Sequence, residues 1–392
     1  MSTPARTIEV GPQGLRIEDL LAVSIDGAPL ALSTDAAFQA RIAAGAQHLE
    51  RMLADGGQIY GVTTGYGDSC TVGVPPELVA ELPLHLTRYH GCGYGAHLSP
   101  EATLAVLVAR LNSLARGYSG VRPILLERLA LMINRRILPR IPEEGSVGAS
   151  GDLTPLSYVG AALVGEREVL FEGRIQPAAE VWRQLGLTPL TLAPKEGLAL
   201  MNGTAVMTAL ACLAYSRADY LLQLATRITA LNVVALEGNP EHFDERLFAA
   251  KPHPGQTQVA AWLRQDLAVA EPLPPLHRLQ DRYSLRCAPH VIGVLQDAQP
   301  FLITTIENEL NSANDNPIID PDGEQVLHGG HFFPIHGLIF DHGIGRPPRL
   351  AKQGEALADY LWRFGGHLQV LQPQLLQGDK RGHGVCSLQW RA

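Results

Sequence analysis

The sequence predicts an all-α protein with a few short strands. Two observations carry that expectation. Apolar residues recur every three and four positions through several long segments, and strand-like alternation is confined to short ones. In chain order, residues 34–54 read as a helix of Ala, Leu and Ile spacing. A glycine-rich segment, GGQIYGVTTGYGDSCTVG, follows as a loop. Residues 100–138 again read as helical, with Leu104, Leu107, Leu111 and Leu114 along one face. The Gly/Ser loop EEGSVGASGDLTP precedes a helix beginning at Pro155, with Asp152 or Thr154 as its cap. A β-like excursion at REVLFEGRIQP and a helix near 178–185 come next. Long helical patterns at 203–236 and 289–313 dominate the remainder.

Composition narrows the function classes. A hydrophobic share of 46% in 392 residues excludes a disordered chain, because that much apolar surface offsets the entropy of ordering. The formal net charge of -8 argues against a nucleic-acid binder, which would usually be basic. Five scattered cysteines without a CxxC pair make a poor disulfide framework and a poor zinc ribbon. The opening MSTPARTIEVGPQGL lacks the apolar run of a leader, and a cytoplasmic location is expected. The stretch from Ala205 to Leu236 is apolar but carries Arg217, Asp219 and Arg227. It reads as a buried helix rather than a membrane span. The expected partner is a small molecule, with no nucleic acid and no membrane.

The most informative segment is Gly145-Ser-Val-Gly-Ala-Ser-Gly-Asp-Leu-Thr-Pro155. By composition it is a flexible connector. By position it places Ala149-Ser150-Gly151 just before a helix N-terminus, where the dipole stabilises developing negative charge.

This loop, within GSVGASGDLTPLSYVGAALVG, resembles the ammonia-lyases and aminomutases of aromatic amino acids, the histidine, phenylalanine and tyrosine ammonia-lyase family. In that family an Ala-Ser-Gly triad cyclises into a methylidene-imidazolone (MIO). The resemblance therefore implies an MIO formed autocatalytically from Ala149, Ser150 and Gly151, with no external cofactor. The chemistry is coherent. Eliminating ammonia from an α-amino acid needs an electron sink, and ordinary side chains supply no strong electrophile. Gly151, lacking a Cβ, lets the chain bend enough for its nitrogen to reach the Ala149 carbonyl.

Further segments resemble the same family in order. Tyr60-Gly-Val-Thr-Thr-Gly-Tyr-Gly67 implies a lid loop with Tyr60 as catalytic base, although alone it reads as a glycine-rich turn. Leu200-Met-Asn-Gly-Thr204 implies that Asn202 faces the MIO and the substrate carboxylate. Lys251-Pro-His-Pro-Gly-Gln256 is a family marker of structural role. Gln280-Asp-Arg-Tyr-Ser-Leu-Arg-Cys-Ala-Pro289 implies Arg286 as the carboxylate clamp, Tyr283 as a second catalytic tyrosine and Gln280 as a site-lining residue. A guanidinium can grip a carboxylate bidentately, which lysine cannot. Asn311-Ser-Ala-Asn-Asp-Asn-Pro317 implies Asn316 beside the MIO. The implied activity is removal of ammonia from histidine, tyrosine or phenylalanine to give an arylacrylate. An aminomutase using the same residues, or an inactive homologue acting as a subunit, are the alternatives.

The family selects the substrate ring partly through two residues before a glycine-rich turn, here Tyr89-His90. His90 could bond a phenol or an imidazole, and the pair leaves the substrate open. His328, His331, His336 and His342 crowd together, but they lie on a family segment that binds no metal, so no metal site is expected.

The match runs from about residue 15 to Phe333. Residues 334–392 carry a charge balance of +3 against -11 for the rest, and lack the long helix and the catalytic carboxamide segment that the family implies. The expected organisation is an MIO-lyase fold. An N-terminal MIO-bearing and lid domain at 1–200 precedes a helical-bundle domain at 201–333 and a non-matching tail at 334–392, the bundle being incomplete. The resemblance also implies a homotetramer whose sites borrow residues from neighbouring chains.

Overall fold

The computed structural model describes residues 6–146, 151–268, 279–320, 322 and 325–329. Ala149, Ser150, His331, His336, His342 and the 334–392 tail lie outside the described residues. The chain divides into two compact units. One comprises the chain up to Tyr220 and returns at Ala298, and the other begins with Leu221–Asp297.

In the first unit, the strands Ile8–Val10 and Leu30–Leu32 pair in parallel around the helix Ile17–Ser24. The expected helix at 34–54 is Ala36–Ala54, and Asp35 caps it by accepting from the Phe38 N–H at 2.8 Å. The stretch at 100–138 is not one helix but two, Pro100–Leu114 and Pro123–Arg135. Gly117 and Gly120, at φ of 80° and 64°, turn the chain between them, and Pro123 opens the second helix at a position that needs no N–H. Every residue from Ala102 to Leu114 is buried, making this helix the centre of the core. Helices Leu153–Leu163, Ala178–Gln184 and Glu196–Met201 pack in the same cluster. The β-like excursion is a hairpin, Glu168–Phe171 with Arg174–Pro177, joined by Leu138–Pro139 into a three-stranded sheet. Trp182, 1% exposed, donates its indole N–H to the Ala162 carbonyl at 2.7 Å.

The long patterns at 203–236 and 289–313 are the helices Ala205–Ala235 and Ala288–Leu310. The second unit has its own core of Ala230, Val233, Phe243, Val259, Leu263 and Leu285. There the Lys251-Pro-His-Pro-Gly-Gln256 marker opens the helix Pro254–Ala268. Gly255 donates to Asp297 Oδ1 at 2.6 Å and lies against the Gly293 backbone, so its role is packing. Glu196–Ala235 contains a window long and apolar enough to cross a membrane, but 83% of that window is buried inside the fold, as in a core helix.

Burial also ranks the thiols. Cys70 and Cys92 are exposed, whereas Cys212 is buried and its pKa is pushed up to about 12, chiefly by desolvation. Labelling of the native protein at pH 8 with a thiol-disulfide reagent should therefore modify Cys70 and Cys92 and spare Cys212 until denaturant is added. Peptide mapping reads this directly, and labelling of native Cys212 at the rate of Cys70 would contradict the burial.

Candidate functional site

The glycine-rich segment after Ala36–Ala54 folds back on itself. Tyr60 is half-buried, and its hydroxyl accepts the Gly67 N–H at 2.9 Å. Tyr66 meets it edge-on, with ring centroids 6.5 Å apart. Burial, with a smaller contribution from Tyr60, raises the Tyr66 pKa well above the ordinary phenol range, so Tyr66 stays protonated. Gly61 and Gly65 leave room for this fold. A Cβ on Gly61 would lie 2.8 Å from the Tyr66 ring.

From Tyr60 a continuous hydrogen-bonded path joins three of the singled-out segments. The Tyr60 N–H donates to His328 Nε2 at 3.2 Å, which fixes the His328 tautomer with its proton on Nδ1. The next residue, Gly329, donates its N–H to Asn316 Oδ1 at 3.0 Å. The Asn316 N–H donates to Asn202 Oδ1 at 2.8 Å. Asn202 ends the helix Glu196–Met201, its own N–H bonded to the Leu198 carbonyl at 2.8 Å. Residues separated by more than a hundred positions thus share one polar cluster.

Gly203, adjacent to Asn202, carries the path to the Gly/Ser loop. Its carbonyl accepts the Asp152 N–H at 2.7 Å. Gly151 sits at φ of 85°, and a Cβ there would lie 2.7 Å from both N and O of Gly203. Only glycine suits this close approach of two backbones.

Asp152 holds the expected N-cap position, and its carbonyl accepts the Leu156 N–H at 3.0 Å, but the expected start of the helix and the side-chain cap are corrected. The helix spans Leu153–Leu163, two residues earlier than expected, and neither Asp152 nor Thr154 caps it through a side chain. Asp152 instead turns its carboxylate toward a different helix. Its Oδ2 accepts from the Val206 and Met207 N–H groups at 3.0 Å each, and its Oδ1 from Ser146 Oγ at 2.8 Å. It caps Ala205–Ala235 from outside, and so ties the loop to the Asn202-Gly203-Thr204 turn. Spacing along the chain could not show this, because the N–H groups come from a segment more than fifty residues away.

Tyr89 and His90 close the helix Leu82–His90, with Tyr89 80% exposed and the two rings edge-on at 5.0 Å. Burial lowers the His90 pKa, which favours the neutral ring at pH 7. Gln280, Tyr283 and Arg286 belong to the second unit. There Tyr283 is 72% exposed, and the Arg286 guanidinium stacks on its ring at 4.1 Å. Arg286 Nε donates to the Asp281 carbonyl at 3.1 Å.

Sequence reasoning missed a buried charged cluster behind Asn202 and Asn316, formed by Lys195, Asp315, Arg110 and Glu309. An arginine within the apolar helix Pro100–Leu114 was the available signal, since a charge is almost never buried without a partner.

Comparison with known proteins agrees with this architecture. The family model for aromatic amino acid lyase matches residues 15–337. A histidine ammonia-lyase of Koribacter versatilis is 39% identical over 349 residues, covering 88% of this chain and 67% of the relative. One of Geobacillus thermodenitrificans is 40% identical over 320 residues, covering 81% and 63%. The crystal structure of tyrosine aminomutase from Streptomyces globisporus superposes with a TM-score of 0.77 at 35% identity, covering 85% of this chain and 66% of that one. The fold is that of the helical aminomutases and ammonia-lyases with which it superposes. The chain belongs to the aromatic amino acid lyase family, and spans about two thirds of the length of these relatives.

Proposed function

We propose that the chain is a carbon–nitrogen lyase that eliminates ammonia from an aromatic L-amino acid, histidine, tyrosine or phenylalanine, leaving an arylacrylate. The observation that carries this reading is the hydrogen-bonded path that joins the Tyr60 N–H, Asn316 and Asn202 and, through the Asp152 bond to Gly203, reaches the loop that holds Gly151. The names of the relatives support the same chemistry.

Gly151 fits the cyclised triad, because its positive φ and the absence of a Cβ allow the sharp bend that ring closure from Ala149 needs. Once formed, the methylidene-imidazolone supplies the electrophile that ordinary side chains lack. The chain's own groups do the rest. Tyr60 takes the β-proton at its Oη, which the Gly67 N–H orients. Asn202 and Asn316 order the substrate carboxylate through their carboxamides, and Arg286 is the residue that the family resemblance assigns as a guanidinium clamp for such a carboxylate. His90, held neutral by burial, offers a ring nitrogen to the substrate ring, next to Tyr89. Tyr283 and Gln280 are assigned by the same resemblance as a second catalytic tyrosine and a site-lining residue.

Incubation with each amino acid, followed by absorbance of the arylacrylate and product analysis, tests the activity. Product without β-amino acid supports the lyase reading. A β-amino acid product supports the aminomutase reading, which the Streptomyces globisporus likeness favours. Tyr60→Phe keeps the ring packing and removes the hydroxyl, which is both the base and the acceptor of the Gly67 N–H. It should leave folding intact and reduce kcat by about 10²–10⁴-fold. Activity within threefold of wild type would remove Tyr60 from the mechanism.

A cytoplasmic homotetramer is part of the proposal. Tyr220, Ile228 and Leu231 are exposed at 64%, 46% and 69% along one helix, an apolar stripe that a neighbouring copy would cover.

A further inference from the structure

We propose that Lys195 and Asp315, with Ser119 and Arg110, form a positioning device that fixes the Asn202–Asn316 pair from behind. The inference rests on the proposed reaction for its catalytic consequence, but its structural core can be read independently.

Three unusual features meet at Lys195. It is a non-glycine residue at φ of 72°, in the left-handed region that a side chain rarely adopts. It is 2% exposed, and its ammonium group is fully buried. It also immediately precedes the helix Glu196–Met201 that ends at Asn202. Strain and desolvation of this kind persist only where the surroundings over-determine them.

The partners show what is being determined. Lys195 Nζ donates to the Ser119 carbonyl at 2.9 Å and to Asp315 Oδ2. Ser119 Oγ donates to Asp315 Oδ1 at 2.7 Å. Arg110, fully buried, adds positive charge with its Nη2 4.0 Å from Asp315 Oδ1, while its Nη1 donates to Asn314 Oδ1 at 3.2 Å. Its Nε and Nη2 have no hydrogen-bond partner among the described residues. Asn314 donates to Thr204 Oγ1 at 2.7 Å, and Thr204 in turn bonds Glu309. The residues on both sides of the Asn202–Asn316 bond are therefore anchored. Lys195 fixes the start of one segment, and Asp315 and Asn314 fix the residues just before Asn316 in the other. Between these anchors the Asn316 N–H donates to Asn202 Oδ1 and the half-buried Asn316 side chain accepts from the Gly329 N–H.

The test uses the full chain and reads the Asn316 amide by hydrogen exchange in the peptide covering 312–320, together with steady-state kinetics. Lys195→Met takes the ammonium partner from the buried Asp315 and destabilises the fold. Lys195→Met/Asp315→Leu removes both charges and should recover part of the melting temperature, the remainder being lost because Arg110 and Ser119 no longer face the carboxylate. Ser119→Ala is the mild variant, removing one donor and keeping both charges. The double variant should exchange at least about tenfold faster at 312–320 while the Pro100–Leu114 peptides stay protected. Its kcat should fall about a hundredfold with KM little changed, the signature of lost positioning. Ser119→Ala should show a smaller change in the same direction. Wild-type exchange at 312–320 in any of these variants, once folded, overturns the proposal. Faster exchange in a protein whose wild type turns over no aromatic amino acid leaves the positioning device standing and rejects the proposed reaction.

Discussion

Gly151→Ala is expected to abolish ring closure of the Ala149-Ser150-Gly151 triad. Alanine at φ of 85° carries backbone strain, and its Cβ would lie 2.7 Å from two backbone atoms of Gly203. Backbone cannot yield as the tip of a flexible side chain can. The combined cost is on the order of 3 kcal/mol. Displacement would propagate through the Asp152 N–H bond to Gly203 and so to Asn202. The purified variant should melt well below wild type and show no dehydration by intact mass. Gly173→Ala is the control, because Gly173 also has a positive φ, 74°, but meets nothing within 4 Å. It should lose about 1 kcal/mol from backbone strain alone and dehydrate normally. Equal behaviour of the two variants would reject the close-approach argument.

Asp152→Ala has the second-largest expected effect. The Asp152 carboxylate is buried and accepts from Ser146 Oγ and from the Val206 and Met207 N–H groups in the first turn of Ala205–Ala235. Alanine leaves those N–H groups buried without acceptors. Loss of a cap and two unsatisfied donors together cost about 2–4 kcal/mol. The functional loss should exceed what instability explains, because the same residue ties the triad loop to Gly203. Asp152→Asn keeps an acceptor oxygen and should recover part of the stability. Thermal melts separate the three proteins. An Asp152→Ala variant that melts as wild type would show that the cap carries no load.

Local chemistry made much of the fold legible. The helices Ala36–Ala54, Ala205–Ala235 and Ala288–Leu310 follow from apolar spacing, and the hairpin of Glu168–Phe171 with Arg174–Pro177 from its short apolar stretch Val169-Leu170-Phe171 before Glu172-Gly173. The break between Pro100–Leu114 and Pro123–Arg135 was also written in the chain, in Gly117, Gly120 and Pro123, but continuous leucine spacing masks it. The site divides along the same line. Asn202, Asn316 and Tyr60 could be singled out from their motifs, and the structure joins them. The Lys195–Asp315 pair could not, since 120 residues separate its members and neither residue type signals burial. The Asp152 cap escaped for the same reason. A capping residue is ordinarily assigned to the helix that follows it, whereas this one serves a helix met only after folding.

On the proposed reading this chain builds its own electrophile at Ala149-Ser150-Gly151. Intact mass spectrometry of the purified wild-type protein beside Ser150→Ala reads that ring closure. The wild type should be lighter than its sequence mass by two waters, with the deficit absent from the variant. A wild type at its full sequence mass would show that no ring forms.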